Sequence, residues 1–451
     1  MIKVKDSKKN NKALIVFTRE PAAGTTKTRM MPYYESGQCA DLHLSFIKDI
    51  HRELRNADAD IIVSYTGGEP VKLRSVFGEK KVFIEQRGED LGHRMYHALE
   101  DVFAMGYEKA VLIGTDIPEL RAESINAAFA KLDGEDIVLG PTADGGYYLI
   151  GMKALHREAF DVKHYGESSV LEDTVKSIEK SGLRIVYVDT YHDMDNREDL
   201  AGYLRRMRND KRLRTSSTGK FIKANATISI IVPIYNEAST IRKMMDQLMQ
   251  YRSGAEIIFV DGGSTDDTLK IIGDKFTVLT GVKGRAAQMN LGAEKSSGDI
   301  LFFLHCDSVL PPNALDEIRE CIADNEYGCF GVQFNSSNFF MLTNRIISNH
   351  RAWNRGLPFG DQGIFIGREL FFDMGMFPDI PIMEDYEFSM RLASAGIKPG
   401  RTKHRITTSA RRYGSGTLSI LRTEYKMWDL RRKYRAGMET GEIAEKYKDI
   451  R

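Results

Sequence analysis

The chain has 451 residues, enough for two or three domains, and its 42% hydrophobic and 28% charged residues are ordinary for a soluble globular protein. Its 64 Lys and Arg residues nearly balance its 63 Asp and Glu residues, so no overall field favours nucleic acid or a membrane as the main partner. The four cysteines form no C-x-x-C pair, the first residues lack the apolar core of a signal peptide, and no apolar run approaches the about 20 residues that span a bilayer. These features predict a reduced, cytoplasmic protein with no nucleic-acid partner.

The first half of the chain alternates short apolar runs with amphipathic helical patterns. We expect strands at residues 13–18, 60–65, 81–85, 110–114 and 184–189, and helices at residues 40–54, 91–105 and 197–207. Because helices separate consecutive strands, this order is typical of a doubly wound, mainly parallel sheet in an α/β domain. Ligands of such sheets bind at the carboxyl ends of the strands, so polar residues that follow strands are candidate site residues.

A loop with a glycine follows the first expected strand and carries Lys27 and Arg29. Backbone N–H groups that a ligand can approach and two nearby cations suit a phosphate. The spacing is not that of a P-loop, so a solvated basic loop is the alternative.

Two acids of the first half also follow strand-like runs. Asp116 comes directly after the strand at 110–114, and Asp144 precedes Gly145 and Gly146 between two further apolar runs. Glycines let the backbone approach a ligand or turn tightly. A hairpin turn is the alternative for Asp144, because Asp-Gly is a common hairpin signal.

Residues 206–226 combine high charge with a run of small polar residues and little apolar content. Such a segment cannot bury enough surface to fold by itself. We therefore expect a basic linker between a first domain at 1–205 and a second domain at 227–451.

The second half repeats the pattern of strands followed by polar residues. Its first strand runs into a loop with Asn236 and Glu237, and the strand at 256–260 ends at Asp261. An acid at a strand end can accept from a nucleotide base or a ribose hydroxyl. Arg285, near the start of the next helix, could meet a diphosphate.

A buried-looking run at 300–305 reads as a central parallel strand, because it is short, apolar and rich in β-forming residues. It delivers Asp307 to the carboxyl edge of the expected sheet. A lone aspartate at such a place is also a common helix cap or loop carboxylate.

Four motifs of the second half, taken in chain order, resemble those of a known family. They are Val-Pro-Ile-Tyr-Asn-Glu, Asp261-Gly-Gly-Ser-Thr-Asp-Asp, the strand that ends in His-Cys-Asp, and Met-Glu-Asp-Tyr-Glu at 383–387. Residues 228 to about 415 thereby resemble the family 2 glycosyltransferases of the GT-A fold. Gly284-Arg-Ala-Ala-Gln-Met-Asn and Thr408-Ser-Ala-Arg-Arg-Tyr resemble more closely the subgroup labelled arsenosugar-biosynthesis-type glycosyltransferases.

The resemblance implies a metal-assisted, inverting transfer from a nucleotide-diphosphate sugar to a hydroxyl acceptor, either a small molecule or a lipid-linked carrier. Asp385, preceded by Glu384, matches the acceptor base, and Asp307 matches the ligand of a divalent Mg or Mn ion. Residues matching the nucleotide-binding positions are Pro233, Tyr235, Asn236, Glu237, Asp261, Gly262 and Arg285. Residues matching acceptor-side or diphosphate positions are Asp361, Gln362, Arg411 and Arg412.

Two histidines bear on the implied metal site. His305 stands where the family usually has an acid, and a neutral imidazole suits Mn²⁺ but suits Mg²⁺ poorly. A packed strand histidine is the alternative. His404 falls where the family often places a metal contact on a mobile segment.

The first domain echoes the second, with Asp116 as the counterpart of Asp307, so we expect two tandem GT-A-like, Rossmann-like domains. Residues 12 to about 200 resemble an uncharacterised GT-A-like family related to nucleotidyltransferases, through Pro-Ala-Ala-Gly-Thr-Thr-Lys-Thr-Arg, Gly-Thr-Asp-Ile-Pro and Gly-Pro-Thr-Ala-Asp-Gly-Gly-Tyr-Tyr. We expect this domain to bind or make the nucleotide sugar, with Lys27 and Arg29 on phosphates and Asp116 and Asp144 on a metal. Transfer of a second sugar, nucleotidyl transfer as the main activity, and a noncatalytic role are the alternatives.

A helical run at 417–435 interleaves apolar and basic residues. This pattern supports a hypothesis from another class, a membrane-surface or scaffold protein with peripheral contact at the inner membrane surface. A packed amphipathic helix with a wet basic face is the alternative.

Overall fold

The computed structural model describes residues 10–448 except 32, 162–164, 166–167, 337, 411–412 and 414–416. The chain divides into two compact units, Met1–Ile222 and Lys223–Arg451. Each unit is built on a seven-stranded sheet with helices between the strands. The predicted α/β class with two tandem domains is confirmed.

The amino-terminal unit contains strands at most of the predicted places. The strands are β1 (Lys12–Arg19), β2 (Asp60–Thr66), β3 (Val82–Glu85), β4 (Lys109–Ile113), β5 (Ile137–Pro141), β6 (Tyr147–Met152) and β7 (Ile185–Tyr187). The helices are α1 (Ser36–Leu54), α2 (Val71–Phe77), α3 (Leu91–Ala104), α4 (Ala122–Lys131), α5 (Val170–Lys180), α6 (Arg197–Asn209), α7 (Lys211–Thr215) and α8 (Ser217–Ala224), of which α8 crosses the boundary.

The carboxyl-terminal unit follows the same plan. Its strands are β8 (Ile228–Ile234), β9 (Glu256–Asp261), β10 (Thr277–Leu279), β11 (Ile300–Phe303), β12 (Tyr327–Phe334), β13 (Ile364–Gly367) and β14 (Gly400–Thr408). Its helices are α9 (Ile241–Met249), α10 (Thr268–Ile272), α11 (Arg285–Lys295), α12 (Ala314–Asp324), α13 (Phe339–Arg355), α14 (Arg368–Asp373), α15 (Glu384–Ser394), α16 (Thr417–Arg435) and α17 (Thr440–Lys448).

The two sheets have the same topology. The orders are β3-β2-β1-β4-β6-β5-β7 and β10-β9-β8-β11-β13-β12-β14. In each sheet one strand, β6 or β13, runs antiparallel to both neighbours, and the other pairs are parallel. Asp116 and Asp307 follow β4 and β11, which occupy the same place in the two orders.

The central strands are mainly apolar because both faces of each sheet are covered. Residues 13–16 of β1 and residues 230–232 of β8 are fully buried. A strand buried on both sides reads as a continuous apolar run rather than an alternating one. The predicted strand at 300–305 ends earlier than expected, at Phe303, so His305 and Asp307 lie in the following loop.

The predicted linker at 206–226 is instead helical, comprising the end of α6 and helices α7 and α8. Leu213 and Ile222 are buried in a cluster with Tyr34 and Phe46 of the same unit. The carboxylate of Asp49 accepts from the backbone N–H groups of Ser217 and Thr218 at 2.7 and 2.8 Å. The burial of the segment's few apolar residues against a distant part of the unit was not visible in its composition.

Candidate active site

In the carboxyl-terminal unit, two predicted site residues meet at Gly360. The backbone N–H of Gly360 donates to Asp385 Oδ2 at 2.6 Å. A Cβ added to Gly360 would lie 2.7 Å from His305 Nε2 and 3.2 Å from Asp385 Oδ2. The missing side chain therefore lets the imidazole and the carboxylate approach one point from the loop after β11 and from helix α15.

Glu384 and Asp385 begin α15, and Arg285 begins α11. Burial and the neighbouring Asp385 raise the pKa of Glu384, although Arg285 Nη1 lies 3.6 Å from Glu384 Oε1. Burial opposes the charge of Arg285, but the carboxylates of Glu384, Asp385 and Asp307 outweigh it and raise the pKa of the guanidinium. These four residues form one charge cluster at the carboxyl end of β11.

Asp385 is held by its own backbone surroundings. Besides the Gly360 contact, its Oδ1 accepts from the N–H of Tyr386 at 2.7 Å. The two backbone hydrogen bonds therefore fix the direction of this side chain.

The predicted nucleotide-binding residues lie on two adjacent loops that are tied together. Asn236 adopts φ +53°, its N–H donates to Ser264 Oγ at 2.9 Å, and its Oδ1 accepts from the N–H of Thr265 at 2.8 Å. Asp261 ends β9, is buried, and accepts from the N–H groups of Gly263 and Ser264 at 2.9 and 3.0 Å. The loops after β8 and β9 thus form one built surface.

Other members of the predicted set lie on the same surface. Pro233 belongs to β8 and pairs with Val260, and Tyr235 is exposed directly after the strand. Glu237 Oε2 accepts a hydrogen bond from Thr240 Oγ1, and the N–H of Glu237 donates to Thr268 Oγ1 at 2.8 Å.

Gln288 of α11 supports this surface, and sequence reasoning missed it. Its amide donates to the carbonyl oxygens of Ile234 and Val260 at 2.8 and 2.6 Å. A Cβ on Gly262 would lie 3.1 Å from Gln288 Oε1, so the glycine gives this side chain room. The residue belongs to the Gly284-Arg-Ala-Ala-Gln-Met-Asn stretch, whose spacing was the available signal.

The turn at Gly360–Gln362, which carries two residues predicted for the acceptor side, rests on a buried polar network. Gln362 is fully buried, and its Oε1 accepts from Arg351 Nη2 of α13 at 3.2 Å. The Arg351 guanidinium stacks 3.5 Å from the Phe359 ring centroid, and that of Arg431 from α16 lies 5.6 Å from it. Gln362 therefore supports the turn from within. Burial lowers the pKa of Arg351, and the charge of the neighbouring Asp361 opposes this shift.

His404 lies in an irregular part of β14, where the pairing with β12 shifts register. Its Nδ1 is paired with Glu317 Oε1 of α12, and its N–H donates to Glu317 Oε2 at 3.0 Å. The imidazole predicted to bind metal is thus already engaged by a carboxylate. Arg411 and Arg412 lie outside the described residues.

In the amino-terminal unit, Lys27 is buried among oxygens, with a side chain only 6% exposed. Its Nζ lies 2.6 Å from Asp116 Oδ1 and 2.7 Å from Asp195 Oδ1, and it donates to the Met194 carbonyl at 2.8 Å. Burial opposes its charge, but the two carboxylates raise the pKa of Lys27. The ammonium predicted to contact a phosphate is thus paired with two carboxylates of its own unit.

Asp195 is a site residue that sequence reasoning missed, because its stretch reads as a helix cap. Asn196 does cap α6, accepting from the N–H of Asp199 at 3.1 Å. The preceding Asp195 turns to Lys27 and also lies 3.7 Å from the exposed Arg29.

A cavity of about 450 Å³ opens beside this triad. Its charged lining comprises four cations and two carboxylates: Arg19, Lys27, Arg29, Arg94, Asp116 and Asp195. His43 also lines it, and burial lowers the pKa of this histidine to about 4, so it is neutral at pH 7. Four positive against two negative charges leave an excess of two positive charges, which suits an anionic ligand.

Asp144, Gly145 and Gly146 are outside this lining and form the turn between β5 and β6. Asp144 Oδ1 accepts from Thr142 Oγ1 at 2.5 Å and from the N–H of Gly146 at 3.1 Å. These hydrogen bonds fit the hairpin interpretation of this motif. Across the described residues, no group of three or more His, Cys, Asp or Glu side chains is arranged to hold a metal.

Comparisons with known proteins agree with the two-part organisation. Residues 229–377 match the model of glycosyl transferase family 2, and residues 50–167 match that of an uncharacterised protein family conserved in bacteria, DUF2064. A PGL/p-HBAD biosynthesis glycosyltransferase of Mycobacterium bovis is 26% identical over 210 residues, 44% of this chain and 81% of the relative. An uncharacterised glycosyltransferase of Haemophilus influenzae is 28% identical over 194 residues, 40% of this chain and 65% of the relative.

Among solved structures, a putative nucleotide-diphospho-sugar transferase from Desulfovibrio desulfuricans G20 is 32% identical, with a TM-score of 0.46, 48% of this chain covered and 95% of that chain. A mannosyltransferase from Pyrobaculum calidifontis, solved with GDP-Man and Mn²⁺, is 20% identical, with a TM-score of 0.36, 49% of this chain covered and 69% of that chain.

Proposed function

The chain joins a DUF2064 domain to a family 2 glycosyltransferase domain, and we propose that the latter transfers a sugar from a nucleotide-diphosphate sugar to an acceptor hydroxyl with inversion of the anomeric centre. The contact between Gly360 and Asp385, with His305 beside it, carries this proposal. It provides an oriented carboxylate next to the charge cluster at the carboxyl end of β11.

Asp385 is the proposed general base. Its carboxylate receives two backbone hydrogen bonds and would accept the proton of the acceptor hydroxyl as oxygen attacks the anomeric carbon. Glu384 is buried and paired with Arg285, and it holds the beginning of α15 against α11.

Arg285 is the proposed contact for the leaving diphosphate. Its charge is maintained by three carboxylates, and it begins helix α11, where backbone N–H groups also favour an anion. A positive group that is already in place stabilises negative charge as the bond to the sugar breaks. The tied loops after β8 and β9 would hold the base and ribose.

We propose that two side chains at this edge would contribute to holding a divalent metal. Asp307 would supply a carboxylate and His305 an imidazole, a donor set that suits Mn²⁺ better than Mg²⁺. When bound, such an ion would neutralise charge on the diphosphate.

A screen of nucleotide sugars with the full chain, in Mn²⁺ or Mg²⁺, tests the proposal. Donor turnover should appear with at least one nucleotide sugar and should fall about 10²- to 10⁴-fold in Asp385→Asn. Asp274→Asn, a change at an exposed acid of the same unit, is the matched control. Acceptor-dependent turnover that persists in Asp385→Asn would show that another group is the base.

For the amino-terminal unit we propose binding of a phosphate-containing anion such as a nucleotide or sugar phosphate. The excess positive charge of its cavity supports this role. The donor screen, repeated with nucleoside triphosphates and sugar phosphates, distinguishes three roles for this unit. They are synthesis of a nucleotide sugar, a second sugar transfer and a noncatalytic role.

A further inference from the structure

Exposed apolar side chains are concentrated on two helices of the carboxyl-terminal unit. Fifteen large hydrophobic side chains are well exposed in the described part of the chain, and eight of them lie on α13 and α16. We call these eight the α13–α16 face: Phe339, Leu342, Ile346, Ile347, Leu418, Leu421, Tyr425 and Trp428. Phe339 and Leu418 are 71% and 83% exposed, so most of the surface of these two side chains is open to solvent.

The face has helical periodicity. Phe339, Leu342 and Ile346 follow the spacing i, i+3, i+7, and Leu418, Leu421, Tyr425 and Trp428 follow i, i+3, i+7, i+10. Residues at this spacing form one stripe along a helix. Other sides of the same helices supply the buried contacts, which include Met341, Ala352, Ile420 and Leu430.

The two stripes belong to neighbouring helices. Helices α13 and α16 pack together, and Asn338 Nδ2, just before α13, lies 3.5 Å from Thr417 Oγ1, the first residue of α16. The beginnings of the helices are therefore side by side. An apolar surface that spans two packed helices is typical of an interaction site rather than of scattered surface residues.

The two helices that carry the face are strongly basic. Helices α13 and α16 contain nine Lys or Arg residues and two acids, a net charge of +7, whereas the whole chain has +1. The rest of the chain thus carries −6. Of the two acids, Asp429 is paired with Lys433, and burial raises the pKa of Glu424.

Aromatic residues join the basic and apolar parts of the face. The rings of Tyr425 and Trp428 stack with centroids 6.0 Å apart, and the Arg432 guanidinium lies 5.4 Å from the Trp428 ring. Aromatic and basic side chains beside an apolar stripe are the features of helices that lie in a membrane interface. Among the described residues, no helix is long and apolar enough to cross a bilayer.

We propose that the α13–α16 face docks on a lipid surface that carries anionic headgroups. The apolar stripes would enter the headgroup region, and the basic residues would pair with the anionic lipids. The positive charge of these helices would attract the face to such a surface. Docking of two copies through the same face is disfavoured, because it would bring two positively charged surfaces together.

Docking would bring the candidate active site close to the lipid surface. Arg351 and Arg431, on the same two helices, contact the Phe359 ring directly before Gly360. The docked helices therefore also support the turn at Gly360–Gln362. The docking itself does not depend on the proposed transfer reaction, and it can be measured without any substrate.

The test is sedimentation of the full chain with vesicles. Vesicles of phosphatidylcholine and phosphatidylglycerol in equal amounts should carry the protein into the pellet, and pure phosphatidylcholine should carry much less. Added salt should release the protein, because screening weakens the ionic part of the attraction.

Two variants separate the apolar and ionic contributions. Leu418→Ser with Leu421→Ser, and separately Arg422→Glu, should each lower the vesicle partition coefficient at least about tenfold. Val71→Ser is the matched control, since Val71 is an exposed apolar residue of the other unit. Circular dichroism and thermal unfolding of each variant establish that it is folded.

Three results would overturn the proposal. The first is a folded wild-type chain that stays in the supernatant with the anionic vesicles, and the second is folded variants that bind them as well as wild type. The third is light scattering that shows an oligomer dissociated by Leu418→Ser with Leu421→Ser, without vesicle binding, because the face would then be a subunit interface.

Discussion

Gly360 and Asp385 are joined by a 2.6 Å hydrogen bond from the backbone N–H to Oδ2, and the position that a Gly360 side chain would occupy also abuts His305. The glycine is therefore required by close approach, not by a turn conformation alone. It connects the loop before β13 to the beginning of α15.

Gly360→Ala should lower transfer activity at least about tenfold while the chain remains folded, because the new methyl group would displace His305 or Asp385 and small displacements are costly in a catalytic site. Steady-state kinetics with the donor found in the screen measures the effect. Gly441→Ala, where an added Cβ meets nothing within 4 Å, is the control. Unchanged kcat in Gly360→Ala would contradict the role assigned to this contact.

Lys27→Met should destabilise the amino-terminal unit by about 3 kcal/mol, because it leaves Asp116 and Asp195 facing each other without their shared cation. Denaturant unfolding of the full chain measures the loss. Lys12→Met, which removes a surface pair with Asp58, should cost much less. Equal effects of the two substitutions would show that burial of the Lys27 cluster adds nothing.

Arg29→Ala should weaken anion binding to the amino-terminal cavity without lowering stability, because the side chain is 72% exposed and lines the cavity. Calorimetric titration of the full chain with a nucleoside triphosphate measures binding. A loss of at least about fivefold is expected for one charge-assisted contact. Arg52→Ala, at a position outside the cavity lining, is the control, and identical affinities for all three proteins would place the ligand elsewhere.

Stability should fall as pH is lowered from about 6.5 toward 4, because of His43. Burial lowers the pKa of this histidine in the folded chain, so the unfolded chain binds a proton in this window and the folded chain does not. Near pH 4, the resulting loss in the free energy of unfolding is on the order of 3 kcal/mol. His43→Gln should flatten this part of the stability profile, whereas His404→Gln, a change at a more exposed histidine, should leave it steep.

The strands and the acids that follow them were predictable because their signals are local. A run such as residues 110–113 is apolar because both of its faces are covered, and the next polar residue necessarily lies at the edge of the sheet. Asp116 and Asp307 were found in this way. The local reading did not locate Asp385, because no strand directly precedes this residue. Only the family resemblance indicated it.

Partners that are distant in the chain could not be predicted. Lys27 and Asp195 are 168 residues apart, and each has an adequate local explanation, one as a basic loop and the other as part of a helix cap. The helices at residues 211–224 were missed for a related reason. Their charge is visible in the sequence, but the buried contacts of Leu213 and Ile222 with α1 and its neighbours are not.

The ammonium of Lys27 occupies the space between two carboxylates that a dissolved cation could otherwise fill. Because this counter-ion is covalently part of the chain, neither dilution nor dialysis nor a chelator removes it. The positive charge that Lys27 places between these carboxylates is therefore set when the protein folds.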